Sequence, residues 1–151
     1  MILKNARIYS EGVIHNGAIL IDNGIIKHLI FESKAKDLKE FAEKNRDSKE
    51  INCQNKLVLP GLIDVHSHLR DMGQEEKETF LTGTMAAAFS GITTIFNMPN
   101  TIPPAITEKQ IKLWIKKAKK NIYINVGFIA GVPNNMEDTE IEKIINLGVL
   151  G

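Results

Sequence analysis

Polar and apolar residues alternate along residues 60–73, PGLIDVHSHLRDMG. This alternation predicts a β-strand, because successive side chains of a strand point to opposite faces. One face then carries Leu62 and the polar residues Asp64, His66, His68 and Arg70. The other face is almost wholly apolar, namely Ile63, Val65, Ser67 and Leu69. We expect the apolar face to pack against other elements and the polar face to line a functional site.

Residues 1–59 show short apolar runs separated by turn signals, which predicts a small N-terminal β segment. In the stretch GAILIDNGIIKHLI, the dipeptide Asn23-Gly24 separates two apolar runs and predicts a tight hairpin with a type I′ turn. The charged stretch 33–50 predicts either a short exposed helix or a solvated loop. The run INCQNKLVL at 51–59 returns to strand character.

From residue 60 onward, strand patterns alternate with helix patterns. We expect three strands and three helices, the strands at 62–69, 92–98 and 122–130 and the helices at 77–90, 108–120 and 138–147. Alternation with short connections predicts a parallel sheet, either an open doubly wound sheet or a (β/α)8 barrel. Both architectures place ligands at the carboxyl ends of the strands. We therefore expect residues 60–151 to form the first three βα units and the start of a fourth strand.

Helix ends are predicted from their capping residues. Thr107 with Gln110 has the spacing of a capping box at the start of the second helix, and Asp138 is a predicted cap of the third. Gly91 is a predicted C-terminal residue of the first helix. In the second helix we expect Trp114 in the core and the lysines on the solvated face, namely Lys116, Lys117, Lys119 and Lys120.

Composition narrows the classes of protein. The chain has 151 residues, 43% of them hydrophobic, and a net charge of +1, so nothing favours a nucleic-acid or membrane-surface partner. No apolar run approaches the roughly 20 residues of a membrane span. The only cysteine is Cys53, which excludes a disulfide framework within the chain. A cytoplasmic protein is the simplest expectation.

The polar residues after the first strand pattern are candidates for chemistry. His66 and His68 would point two imidazoles into one space, an arrangement suited to zinc, although many such pairs are simply surface residues. Arg70 is either a carboxylate-binding residue or a solvated loop residue. Asp64 is either a hydrogen-bond acceptor for an imidazole or a salt-bridged structural residue. His15 and His28 are predicted to be surface or packing residues.

The stretch NKLVLPGLIDVHSHLRDMGQEEKETFLTGTMAAAFSGITTIFNMPNTIPP, residues 55–104, resembles the amidohydrolase superfamily and, within it, the dihydroorotases. The opening PG-x-I-D-x-H-x-H is shared across the superfamily, including hydantoinases and allantoinases. The motifs HLR at 68–70 and MPNT followed by PP at 98–104 are narrower and look like dihydroorotase.

This resemblance implies a zinc-dependent enzyme on a (β/α)8 barrel that interconverts N-carbamoyl-L-aspartate and dihydroorotate in pyrimidine biosynthesis. Carried over residue by residue, His66 and His68 resemble the paired zinc ligands of the family, with one or two zinc ions in a complete site. Arg70 and Asn100 resemble the pair that binds the substrate carboxylate. The resemblance also implies a homo-oligomer.

Two features depart from the family pattern. The loop after Arg70 is Asp71-Met72-Gly73 where the family usually resembles EPG, and we expect this to adjust the loop without abolishing the site. The family's bridging lysine, further histidines and general-base aspartate would be expected beyond residue 151. We therefore expect an N-terminal portion of a longer enzyme, inactive alone.

Two alternatives remain open. One is a different cyclic amidase, a hydantoinase or allantoinase, against which Arg70 and MPNT argue. The other is a non-catalytic dihydroorotase-like scaffold for aspartate transcarbamoylase, which the presence of both His66 and His68 disfavours.

Overall fold

The computed structural model describes residues 1–34, 40–41, 43–44 and 47–151. These divide into two compact units, Met1–Pro60 and Gly61–Gly151. Of the stretch 33–50, predicted to be a helix or a loop, residues 35–39, 42 and 45–46 lie outside the described residues. In the described part of the chain, none of the helices has the length and apolar character needed to cross a bilayer.

The first unit is a mixed β-sheet. Its strands are β1 (Ile2–Ser10), β2 (Val13–Asp22), β3 (Ile25–Phe31), β4 (Glu50–Asn52) and β5 (Leu57–Val58). Strand β2 pairs antiparallel with β1 and β3, while β4 and β5 each pair parallel with β1. A 3₁₀ turn, Glu32–Lys34, follows β3. Ala6, Ile8 and Ile19 form the buried centre of this unit.

The hairpin predicted at Asn23-Gly24 is confirmed. Asn23 has φ 48° and Gly24 has φ 77°, and β2 and β3 pair on either side of them. Two consecutive left-handed residues define a type I′ turn, whose twist matches that of the flanking strands. Asparagine and glycine adopt this conformation at low cost, which explains why this dipeptide places the turn correctly.

The second unit has an α/β fold in which strands and helices alternate. In chain order its elements are β6 (Leu62–Ser67), α1 (Phe80–Phe89), β7 (Ile92–Asn97), α2 (Glu108–Ala118), β8 (Asn125–Phe128) and α3 (Asp138–Ile145). The three strands form a parallel sheet in the order β6-β7-β8. After α3 the main chain hydrogen-bonds to residues at and just beyond the end of β8, with Leu150 N donating to Phe128 O at 2.8 Å and Ala130 N donating to Gly151 O at 2.7 Å.

Aromatic residues from α1, α2 and β8 lie in the core of this unit. Phe80 and Trp114 are fully buried, as Trp114 was predicted to be. The Trp114 ring meets Phe128 edge to face at a centroid distance of 4.7 Å, and Phe80 meets Phe128 at 6.2 Å. This packing fixes α1 and α2 against β8 and so supports the carboxyl ends of the strands.

The starts of the helices correct two capping predictions and add one cap that was not predicted. Thr107 accepts from Gln110 N at 3.2 Å, but the Gln110 side chain turns to Pro103 O, so only half of the predicted capping box forms. A reciprocal box forms at α1 instead, between Thr79 and Thr82. Asp138 is the first residue of α3 and the N-cap is Glu137, which makes no side-chain capping bond.

The first strand of the sheet is shorter and more exposed than predicted. Strand β6 ends at Ser67, so His68 is the first residue beyond it. Ile63 and Val65, expected to pack, are 59% and 62% exposed. The cause is position: among the described strands of this sheet, β6 is at the edge and pairs with β7 alone.

Candidate metal and carboxylate site

The two histidines of the predicted metal site lie side by side. The ring centroids of His66 and His68 are 5.2 Å apart, with planes inclined at 73°. His66 is the penultimate residue of β6, and His68 is the first residue after the strand. Both lie at the carboxyl edge of the parallel sheet. The sequence spacing therefore brings the imidazoles together even though only one of them belongs to the strand.

His68 is oriented by Asn100. The Nδ1 atom of His68 lies 2.8 Å from the side-chain Oδ1 of Asn100, which follows β7 in the chain. A carboxamide oxygen only accepts, so Nδ1 is the donor of this hydrogen bond, and Nε2 is the ring nitrogen that the bond leaves unused. Asn100 Nδ2 donates no hydrogen bond to any of the described residues. One hydrogen bond thus joins a predicted metal ligand to a predicted carboxylate-binding residue.

Asn97, for which no role was predicted, holds the main chain directly after His68. The Oδ1 atom of Asn97 accepts from Leu69 N at 2.7 Å, and both residues are buried. Met98 N also donates to Ser67 O at 2.9 Å. Asn97 is the last residue of β7, and an amide side chain directly after the apolar pair Ile95-Phe96 at the end of a strand was the available signal.

Arg70 is partly buried, and its guanidinium makes no hydrogen bond to the described residues. Burial raises the pKa of the nearby Glu78 carboxyl, and the charge of Arg70 opposes that shift without cancelling it. Arg70 is therefore close to an acidic group while its five N–H donors stay available for a ligand.

Asp71 anchors the loop after Arg70. Its buried carboxylate accepts from Phe80 N at 2.8 Å, at the start of α1, and from Met72 N at 3.1 Å. It also forms an ion pair with Lys117 of α2. The prediction that Lys117 lies on the solvated face is therefore wrong, because a buried carboxylate recruits it, whereas Lys116, Lys119 and Lys120 are exposed as predicted.

Glu75 completes this anchor. It accepts from Gly73 N at 2.9 Å and lies 2.5 Å from Lys117 Nζ. The hydrogen bond from Lys117, aided by main-chain N–H groups, lowers the pKa of the Glu75 carboxyl to about 2. The same two carboxylates raise the pKa of Lys117. The loop 71–75 is thus tied to both α1 and α2.

Asp64 and His15 make structural contacts, and His28 lies at the surface. Asp64 Oδ1 accepts from the main-chain N–H of His66 at 3.1 Å, so the carboxylate braces β6 itself. His15 and His28 belong to the first unit, where His15 stacks on Phe31 at a centroid distance of 4.2 Å and His28 is exposed.

His66 and His68 suit a metal ion, but two imidazoles alone do not complete a metal site. Within residues 1–34, 40–41, 43–44 and 47–151, no group of three or more His, Cys, Asp or Glu side chains is placed to hold a metal ion. His66 and His68 nevertheless supply imidazole nitrogens, a donor type that zinc binds, and the Nδ1 bond of His68 to Asn100 leaves Nε2 as the nitrogen available to a metal. The two residues fit half of a zinc site.

Comparison with solved structures first identifies the fold. The chain superposes on the L-hydantoinase (dihydropyrimidinase) of Arthrobacter aurescens with a TM-score of 0.81 and 30% identity, covering 99% of this chain and 31% of that one. The chain therefore shares its fold with the corresponding part of this hydantoinase, and its two histidines lie at the carboxyl edge of the parallel sheet.

The sequence then gives the family. Residues 55–149 match the family model described as dihydro-orotase-like, and the chain belongs to this family. It is 37% identical to a dihydroorotase of Methanosphaera stadtmanae over 93% of its length, and 36% identical to an allantoinase of Arabidopsis thaliana over 99%. The chain spans 30% and 29% of the lengths of these relatives.

Proposed function

We propose that the protein is a zinc-dependent dihydroorotase that interconverts N-carbamoyl-L-aspartate and dihydroorotate in pyrimidine biosynthesis, and that this chain provides half of its metal site and its carboxylate-binding pair. The observation that carries the proposal is the 2.8 Å contact between His68 Nδ1 and Asn100 Oδ1. It joins a metal-type imidazole to a residue suited to bind an anionic substrate.

In this proposal His66 and His68 hold zinc, with His68 using Nε2. A four-coordinate site needs two further ligands from groups other than these histidines. When bound, the ion polarises the ring amide and generates a nucleophile from water. Asn100 supports His68 by fixing its ring orientation and its tautomer.

The substrate carboxylate would be bound by Arg70 and Asn100. The Arg70 guanidinium presents two parallel N–H donors that match a carboxylate. Asn100 uses its oxygen on His68, which leaves its Nδ2 donor for the substrate. A ring that carries a carboxylate would therefore be favoured over a neutral ring.

The three parallel strands and the main-chain pairing of residues 150–151 with the β8 edge are consistent with the opening strands of a (β/α)8 barrel. In such barrels the catalytic groups lie at the carboxyl ends of the strands. His66 is the penultimate residue of β6, and His68 and Asn100 follow β6 and β7. This supports the proposed placement of the site.

A second candidate is a hydantoinase or allantoinase. The similarity to the Arabidopsis thaliana allantoinase and to the Arthrobacter aurescens L-hydantoinase favours it. The two candidates differ in the charge of the ring substrate, so substrate preference separates them.

The test is zinc-supplemented ring opening of dihydroorotate, hydantoin and allantoin by the full-length protein that contains this sequence. We expect turnover of dihydroorotate to exceed that of the neutral rings, and Arg70→Met to abolish that preference. Faster turnover of hydantoin or allantoin, unaffected by Arg70→Met, would contradict the dihydroorotase proposal and support the second candidate.

A further inference from the structure

Asn100 is held from two sides. Its side-chain oxygen bonds to His68, and its main-chain oxygen accepts a hydrogen bond from Gln74 Nε2 at 3.0 Å. We infer that Gln74 is a positioning residue, which fixes the Asn100 backbone so that its carboxamide is aimed at the substrate carboxylate. The inference rests on the proposed function for its consequence in catalysis.

Gln74 is itself immobilised. Its side chain is only 9% exposed, and its Oε1 accepts from Lys77 Nζ at 3.0 Å. A buried amide with both ends bonded has one accessible orientation, because any other leaves polar atoms without partners. The donor that reaches Asn100 is therefore set in place by the fold before a substrate arrives.

The loops that carry these residues are in close contact. Ile102 N donates to Met72 O at 2.9 Å, so a main-chain hydrogen bond also joins these loops. A Cβ added at Gly73, which has φ +98°, would lie 2.4 Å from Ile102 O. The loop after β6 and the loop after β7 thus meet along their main chains, and the Gln74 bond is the one that reaches Asn100.

The position of the Asn100 main chain determines where its Nδ2 donor lies. The bond to His68 fixes the carboxamide oxygen, but Nδ2 can still move if the main chain shifts. The bond from Gln74 removes that freedom. A donor misplaced by about 1 Å loses most of its contribution to binding.

The chain offers a matched control in Gln110. It is also 9% exposed, and its Nε2 lies 3.4 Å from Pro103 O, on the same loop but away from Asn100. Pro103 O also accepts from Thr101 Oγ1 at 2.6 Å, so it keeps a partner without Gln110. Gln110→Met therefore removes a similar buried amide without touching Asn100.

The experiment compares Gln74→Met, Gln74→Glu and Gln110→Met. Gln74→Glu keeps an acceptor for Lys77 but cannot donate to Asn100 O, so it separates the two bonds of Gln74. In the full-length protein we expect both Gln74 variants to raise KM for dihydroorotate about tenfold, equivalent to about 1.4 kcal/mol, with kcat within about twofold. KM for hydantoin, which has no carboxylate, should stay unchanged, as should both constants in Gln110→Met.

Equal losses on dihydroorotate and hydantoin, or equal losses in the Gln74 and Gln110 variants, would overturn the inference. NMR of the 15N-labelled protein tests the positioning without activity. The Gln74 variants should shift the Asn100 carboxamide and His68 ring resonances, while Gln110→Met should not, and the absence of this difference would also overturn it. A wild-type protein inactive on dihydroorotate would contradict the proposed function alone, because the NMR comparison still decides the role of Gln74.

Discussion

The main-chain N–H of Leu69 donates a 2.7 Å hydrogen bond to the side chain of Asn97. Leu69 separates His68 from Arg70, so this bond fixes the chain between the candidate metal ligand and the candidate carboxylate-binding residue. Asn97 ends β7, the neighbouring strand, and is fully buried. The strand that supports the site therefore also sets the path of the loop that carries it.

Asn97→Ala should destabilise the protein by about 2 kcal/mol, because it leaves the buried Leu69 N–H without a partner. Urea unfolding measures the loss. Asn121→Ala is the control, since it removes a side-chain bond to Lys117 O at a less buried position and should cost less than about 1 kcal/mol. Equal costs for the two variants would show that the Leu69 contact contributes nothing particular to stability.

Lys117→Met should destabilise the protein by about 2 kcal/mol. It removes the cation facing the buried Asp71 carboxylate, which retains only its main-chain donors from Met72 and Phe80. Lys116→Met, at an exposed position on the same helix, should change the free energy of unfolding by less than about 0.5 kcal/mol. Thermal unfolding of the two variants side by side checks this, and similar melting temperatures would refute the anchoring role of Lys117.

Glu75 should make the protein sensitive to acid. Its pKa is lowered from 4.5 to about 2, so the stability it contributes is present above pH 4.5 and is lost as the pH falls toward 2. Glu75→Gln should flatten the pH dependence of the urea midpoint in this window. Glu76→Gln controls for the loss of one exposed carboxylate. A wild-type profile that matches Glu75→Gln throughout the window would exclude this linkage.

Local patterns in the sequence predicted much of the fold. Asn23-Gly24 placed a hairpin because left-handed φ values restrict which residues can form that turn, and Gly91, with φ 81°, ends α1 for the same reason. The alternation of strands and helices predicted the α/β unit and its parallel sheet. His66 and His68 came together as expected because two residues of spacing suffice at a strand end.

Contacts between distant residues escaped prediction. Asp71, in the loop after β6, forms an ion pair with Lys117 of α2, and no local pattern distinguishes Lys117 from its exposed neighbours. The exposure of Ile63 and Val65 depends on which strands flank β6, which alternation alone does not specify. Thr107 and Gln110 have the spacing of a capping box, yet the Gln110 side chain goes to Pro103 O instead.

The central claim is that His66 and His68 bind zinc. Equilibrium zinc titration of the full-length protein against a fluorescent competitor tests it most directly. The sequence contains four histidines, of which only these two are assigned to the metal. Single alanine variants of His66 and His68 are compared with those of His15 and His28. We predict that His66→Ala and His68→Ala each weaken zinc binding by more than about tenfold, while His15→Ala and His28→Ala leave it unchanged. Wild-type zinc affinity in both His66→Ala and His68→Ala would contradict the account.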